Sequence, residues 1–138
     1  IFNISFFLFY FSSAGRKKIV KDFIKIDTIK GLSLPEILIS VVDKGVCGTV
    51  DKLLIIDSEK KICRIQDYKI IDTLNDKADK LQSPFEILPA IKLSSYQIQL
   101  SVYANIMQLS GWSVQGLDIF ALEEEGWKHY QLDVLKVI

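Results

Sequence analysis

Two acidic residues sit inside apolar runs of this 138-residue chain. Asp51 interrupts Val46 to Ile56 (VCGTVDKLLII), and Asp67 lies near the end of Ile62 to Ile70 (ICRIQDYKI), followed two residues later by Lys69. Both runs are rich in β-branched residues and read as strands. Asp and Lys are poor strand residues and are seldom buried unpaired. Alternation along a strand puts Asp67 and Lys69 on the same face, about 7 Å apart. If the two runs pair, Asp51 comes beside Asp67. Adjacent carboxylates repel, and one takes up a proton unless a cation lies between them. A divalent metal answers that need, because magnesium takes oxygen ligands, usually one or two carboxylates plus water and phosphate oxygens. A lysine next to it adds positive charge where a phosphate becomes more negative. Those parts suit hydrolysis of a phosphodiester: the metal lowers the pKa of a bound water, and Lys69 orients that water or neutralises the phosphorus centre. A strand end at Asp51 with a surface ion pair between Asp67 and Lys69 would account for the same residues, and spacing alone does not choose.

The elements that must position these groups follow from the turn residues. Glu36 to Val42 (EILISVV) reads as a strand, Asp43-Lys44-Gly45 as a turn, and Asp57 to Lys61 as a second polar turn. The result is a three-strand meander. Residues 72–93 form a long polar connection carrying Pro84 and Pro89, with a short helix expected over 76–82. Connections this long inside a domain are often functional. Ser94 to Ser110 reads as a helix, with Ser94 and Gln97 at capping-box spacing, Gly111 where the helix stops, and Tyr96, Leu100, Tyr103 and Met107 as its apolar stripe. Val114 to Leu122 and Trp127 to Val134 are strands around a Glu123–Gly126 turn. Gly15 to Lys25 reads as a basic helix with Ile19, Val20, Phe23 and Ile24 on one side, its lysines a solvated face in preference to a phosphate grip. The expected fold is α/β: a central mixed sheet of three-strand meander, helix, then two further strands, flanked by helices.

Composition narrows the classes. The length fits one domain, 1–138, with a core of about 36–135. Apolar residues make up 49% and charged residues 25%, and 17 basic residues cancel 17 acidic ones. No global positive field marks a polyanion partner, so any grip on nucleic acid must be local. Two cysteines, Cys47 and Cys63, are too few for a four-thiolate zinc or iron–sulfur site and are expected in the core. His129, the one histidine, reads as a surface residue. Nine of the first eleven residues are apolar. That run is shorter than the roughly 20 residues a membrane span needs, and reads as a buried strand or helix, or a surface covered by further chain or a partner, in preference to a signal peptide. An incomplete chain, with no membrane association and a cytoplasmic location, is the expectation.

Gly48-Thr49-Val50-Asp51, followed by a strand ending in Asp67-Tyr68-Lys69, resembles the core of the PD-(D/E)XK nuclease superfamily. The pattern there is a glycine-containing strand ending in Asp, a turn, and a strand ending in Asp/Glu-x-Lys. Gln99-Leu-Ser-Val-Tyr103 on the next helix is similar to the Gln-x-x-x-Tyr motif of the RecB-like branch, which includes phage, recombination and CRISPR-associated nucleases. The resemblance covers roughly Glu36 to Val134 and implies a restriction-endonuclease-like core. It implies Asp51 and Asp67 as metal ligands, Lys69 as the catalytic lysine, and the main-chain carbonyl of Tyr68 as a further ligand. Gln99 and Tyr103 would face the site one helical turn apart and position Lys69 or the DNA backbone, with core packing the other role open to Tyr103. Glu36 is either a further acidic ligand or a solvated strand start after Pro35. Ile70 stands where the family often has Thr or Ser, and no histidine lies upstream of the first strand.

The resemblance makes Mg2+ the expected metal, with Mn2+ able to substitute, and DNA the expected partner. An exonuclease in phage replication, repair or recombination is the leading reading. A homo-oligomer or a helicase or recombination partner would complete the DNA groove. The iron–sulfur branch is excluded by the cysteine count. A non-catalytic nucleic-acid-binding or partner-binding domain on the same fold is the alternative.

Overall fold

Among the described residues, runs of Val, Ile and Leu build five strands, and all lie in one sheet. The computed structural model describes residues 13–70, 85 and 91–138. In chain order the elements are α1 (Ser13–Ile26), β1 (Leu32–Val41), β2 (Val46–Asp57), β3 (Ile62–Ile70), α2 (Lys92–Leu109), β4 (Ser113–Glu123) and β5 (Gly126–Leu132). The strand order is β1-β2-β3-β4-β5. Neighbours are antiparallel except β3 and β4, which are parallel. The α/β class, the mixed sheet and the flanking helices therefore match the expectation. The segments 1–11 and 76–82 lie outside the described residues. Among the described residues no helix is long and apolar enough to cross a membrane.

Alternation divides the sheet into two faces. Leu53, Ile55, Cys63, Ile65, Leu117, Ile119 and Ala121 pack with Leu100, Ala104, Ile106 and Met107 of α2. On the other face α1 inserts Phe23 among Tyr68, Phe120 and Trp127, with ring centroids 5.0–5.6 Å apart. The Trp127 indole N–H donates to the Ile19 carbonyl at 2.9 Å and pins β5 to that helix. Ile19, Phe23 and Ile26 face inward, whereas Ile24 is exposed, so the apolar side of α1 is narrower than its sequence implied.

Three local expectations are corrected. β1 starts four residues earlier than Glu36 and contains Pro35, which an edge strand tolerates because one side of its backbone needs no partner. The first helical residue of α2 is Lys92, with Ile91 as its N-cap and no side-chain cap, so Ser94 and Gln97 form no capping box. Cys47 is exposed; only Cys63 is buried. The other end of α2 follows the sequence. Gly111 takes φ +91, and the Gly111 and Trp112 amides donate to the Gln108 and Met107 carbonyls, the two bonds of a Schellman stop.

The use of Gln97 lies elsewhere. With Ser101 and Asn105 it makes a polar stripe at four-residue spacing along α2, and residues 133–138 run along it. Gln97 donates to the Asp133 carbonyl, and Ser101 accepts from the Leu135 amide. Asn105 donates to the Leu135 carbonyl and accepts from the Val137 and Ile138 amides. Buried polar groups must find partners, and here main chain without a strand neighbour supplies them.

Asn105→Ala should therefore lower unfolding stability by about 1–3 kcal/mol, the cost of leaving buried partners unpaired. Gln97→Ala should cost less than about 1 kcal/mol, because a single neutral bond is lost. Urea denaturation of the two variants checks the order; equal effects would contradict it.

Candidate active site

Asp51 and Asp67 meet because of strand register. β2 pairs with β3 through Lys52↔Gln66 and Leu53↔Ile65. One step further along the same register sets Asp51 opposite Asp67, on the face covered by α2, and their carboxyl groups lie within hydrogen-bonding reach. Asp67 is buried and Asp51 half-buried. Lys69 follows on the same face, its ammonium 2.8 Å from Asp67 Oδ2. Lys52, next to Asp51 in sequence, points the other way and pairs with Asp27 at 3.2 Å.

The Tyr68 amide donates to Asp51 Oδ2 at 3.3 Å. In a strand, the N–H and C=O of one residue point toward the same neighbour. The Tyr68 carbonyl therefore faces β2 on the Asp51 side, where a cation held by the two carboxylates would meet it. The Tyr68 ring lies on the opposite face of the sheet, against Phe23 and Phe120.

The β1–β2 ladder is interrupted beside this site. Residues 32–35 pair with 52–55 and 37–41 with 46–50, leaving the step between Glu36 and Asp51 out. Glu36 takes φ +53, a left-handed conformation that costs a non-glycine residue about 1–3 kcal/mol. The interruption explains how Gly48 and Leu53, five residues apart, both address α2. Leu53 joins the core beneath the helix, and Gly48 meets Tyr103. A Cβ on Gly48 would stand 2.5 Å from the Tyr103 ring, so only glycine admits that ring. Glu36 is exposed and stands at the β1 position that faces Asp51.

Helix α2 sets three polar side chains along one face. Tyr96, Gln99 and Tyr103 are three and four residues apart, within about 60° of one another around the axis. The Lys69 ammonium lies 4.4 Å from the Tyr96 ring centroid. Gln99, exposed, donates its amide to the Tyr103 hydroxyl at 3.3 Å. Asp51, Asp67, Lys69 and the Tyr68 main chain thus form one group. Gln99 and Tyr103 form a second that joins it through Gly48 and β2. Tyr96 lies directly on the lysine, which its place in an apolar stripe did not signal.

The electrostatics of the first group are unbalanced. Burial raises the Asp51 carboxyl to about 7, with the hydrogen bond and charge of Asp67 adding to it; the Tyr68 amide and Lys69 offset only part. Burial pulls the Lys69 ammonium down, but Asp67 outweighs it and Lys69 ends above its ordinary value. Toward neutrality the Asp51 carboxyl still holds part of a proton, which a divalent cation can replace. Among the described residues no three His, Cys, Asp or Glu side chains cluster as a metal site. Two carboxylates and a main-chain oxygen suit a hard ion that keeps waters and takes oxygens from its substrate, which is how magnesium binds.

On the α1 face another buried acid is fully compensated. Arg64 grips Asp118 with bonds of 2.7 and 3.0 Å, Gln66 donates at 3.0 Å, and His129 Nε2 lies 2.7 Å from Asp118 Oδ1. Burial pushes this carboxyl up, but those hydrogen bonds and the Arg64 charge hold it below its ordinary value. His129 is therefore not the surface residue expected; it is half-buried and stacked on Phe120 at 4.4 Å. The signal that singles out Asp51 and Asp67, an acid within an apolar strand, is present at Asp118 too.

Asp51 binds its proton more tightly in the folded chain than in the unfolded one. Its support for folding is complete below 3.8 and is lost as pH rises to about 7. In metal-free buffer, Asp51→Asn should flatten that part of the stability profile and unfold at higher urea than wild type at pH 8. Magnesium should stabilise wild type at pH 8 and the variant less. Parallel profiles from pH 4 to 8 would contradict the assignment.

No protein-family model matches the chain, and no curated protein matches it. Among solved structures, a crystal structure of SSO0001 aligns over 88% of this chain with 13% identity and a TM-score of 0.39. The chain spans about half of that one, 53% of its length.

Proposed function

We propose that this chain is a magnesium-dependent deoxyribonuclease of the RecB-like branch of the PD-(D/E)XK superfamily, an exonuclease acting in phage replication, repair or recombination. One observation carries the reading: Asp51 and Asp67 lie side by side on one sheet face, with the Lys69 ammonium 2.8 Å from Asp67. A structural ion pair needs one carboxylate and one cation. Here a second carboxylate is half-buried beside the pair, at a cost visible in its raised pKa.

In this reading Asp51, Asp67 and the Tyr68 carbonyl hold the ion, and Mn2+ can substitute. Once bound, the ion lowers the pKa of a coordinated water and stabilises charge on the phosphate. The chain's own groups do the rest. The Tyr68 amide fixes one Asp51 oxygen and leaves the other for the metal. Lys69 supplies positive charge where the phosphate oxygens gain negative charge. Gln99 and Tyr103, bonded to each other, present donors along the helix that borders the site. Glu36, at the β1 position opposite Asp51, would be the further acidic ligand. The partner is DNA, in the cytoplasm, and a second copy or a helicase-type protein finishes the groove.

A fluorogenic DNA assay tests this. Wild type should degrade DNA with Mg2+ or Mn2+ and stop on chelation. Lys69→Ala should lose at least about 100-fold in rate, the usual cost of removing transition-state charge stabilisation, and keep its circular dichroism. DNA binding without cleavage under any metal would replace this reading with a binding module.

Gly48→Ala should displace the Tyr103 ring and lower cleavage by about tenfold or more, about 1.4 kcal/mol of barrier. Tyr103→Phe keeps the ring and should keep stability within about 0.5 kcal/mol of wild type. Unchanged cleavage in Gly48→Ala would remove Tyr103 from the site.

A further inference from the structure

Lysine reaches its target on a flexible four-carbon stem. Left to Coulomb attraction alone, the Lys69 ammonium would be free to swing about the Asp67 carboxylate with which it pairs. The structure provides a second hold. The Tyr96 ring lies 4.4 Å from the ammonium, inside the roughly 6 Å range of a cation–π contact. Tyr96 is itself fixed. It sits in the first turns of α2 and packs against the main core, and α2 is stopped at its far end by the Gly111 motif. The ammonium is therefore held between a strand carboxylate and a helix ring, with 22% of the side chain exposed.

We propose that Tyr96 is a positioning residue, whose ring face fixes the Lys69 ammonium beside Asp67 so that the lysine is set before substrate arrives. The assignment rests on the nuclease reading for its consequence, but the contact can be tested apart from it. What matters is the ring face and not the hydroxyl. Phenylalanine keeps that face, whereas leucine fills much of the space without it. Tyr96 thus acts through Lys69.

The experiment has two arms on the full chain. In the first, lysine-labelled protein without metal is examined by NMR, with the Lys69 ε-methylene resonance assigned by its loss in Lys69→Arg. The ring should shift this resonance upfield of the other lysines in wild type and in Tyr96→Phe, and the shift should vanish in Tyr96→Leu. In the second, duplex and single-stranded DNA are digested with Mg2+. Tyr96→Leu should lower kcat about tenfold, about 1.4 kcal/mol of barrier, with KM for DNA unchanged, and Tyr96→Phe should stay within about twofold of wild type. An unshifted Lys69 resonance in wild type overturns the proposal, whatever the cleavage data. So does a leucine variant whose kcat equals that of the phenylalanine variant. If wild type cleaves no DNA while the resonance follows the predicted pattern, the nuclease reading falls and the hold of Tyr96 on Lys69 stands.

Discussion

The parallel pairing of β3 with β4 is the constraint on which the rest of the molecule depends. Parallel strands cannot be joined by a tight turn; the chain must leave the sheet and come back across a face. Here the return runs through α2, which covers the face carrying Asp51, Asp67 and Lys69. A simple continuation of the meander would have left those residues open to solvent. The crossover buries one carboxylate, half-buries the other, sets Tyr96 on Lys69 and brings Tyr103 against Gly48. Because Asp67 and Lys69 lie within the paired part of β3, against Ile119 and Ala121 of β4, the strand that carries the site is fixed on that side by a regular ladder.

The two faces of the sheet show what context does to one residue type. Asp118 is as buried as any residue in the chain and stays ionised, because Arg64, Gln66 and His129 converge on it. Asp51 is less buried yet rises to about 7, because burial pushes it up and its neighbour, another acid, adds to the rise where Asp118 has partners that offset it. Burial raises both; the partners decide the sign. The network on the α1 face therefore has the balance of a structural assembly. The group beneath α2 sets two carboxyl groups against the single ammonium of Lys69, and a bound cation can supply the missing positive charge.

Most of the fold was legible in the sequence, and for local reasons. The antiparallel strand pairs are joined by residues that end strands, such as Asp43-Lys44-Gly45 and Glu124-Glu125-Gly126, and Gly111 stops α2 through its own backbone preference. Asp51, Asp67 and Lys69 were legible because charge inside an apolar strand is costly wherever it occurs. What sequence hid is what register and crossover decide. Nothing local says that Ser101 and Asn105 would bind a distant main chain, that His129 would find Asp118, or that Tyr96 would lie on Lys69. The missing capping box makes the same point from the other side. Ser94 and Gln97 have the right spacing, but the helix begins two residues before Ser94, and Gln97 is drawn to the Asp133 carbonyl.

The polar stripe on α2 also bears on the order in which the chain can be made and folded. Its partners, residues 133–138, lie about thirty positions downstream of Ser101 and Asn105. During synthesis the helix leaves the ribosome well before them. Until they arrive, a docked α2 lacks the main-chain partners of Ser101 and Asn105, so its cover over the sheet face is held less firmly. Closing of the site over Asp51 and Asp67 is thereby coupled to completion of β5 and the segment behind it. A translation pause just after β5 should prolong the time during which the apolar face is open to chaperones and to aggregation.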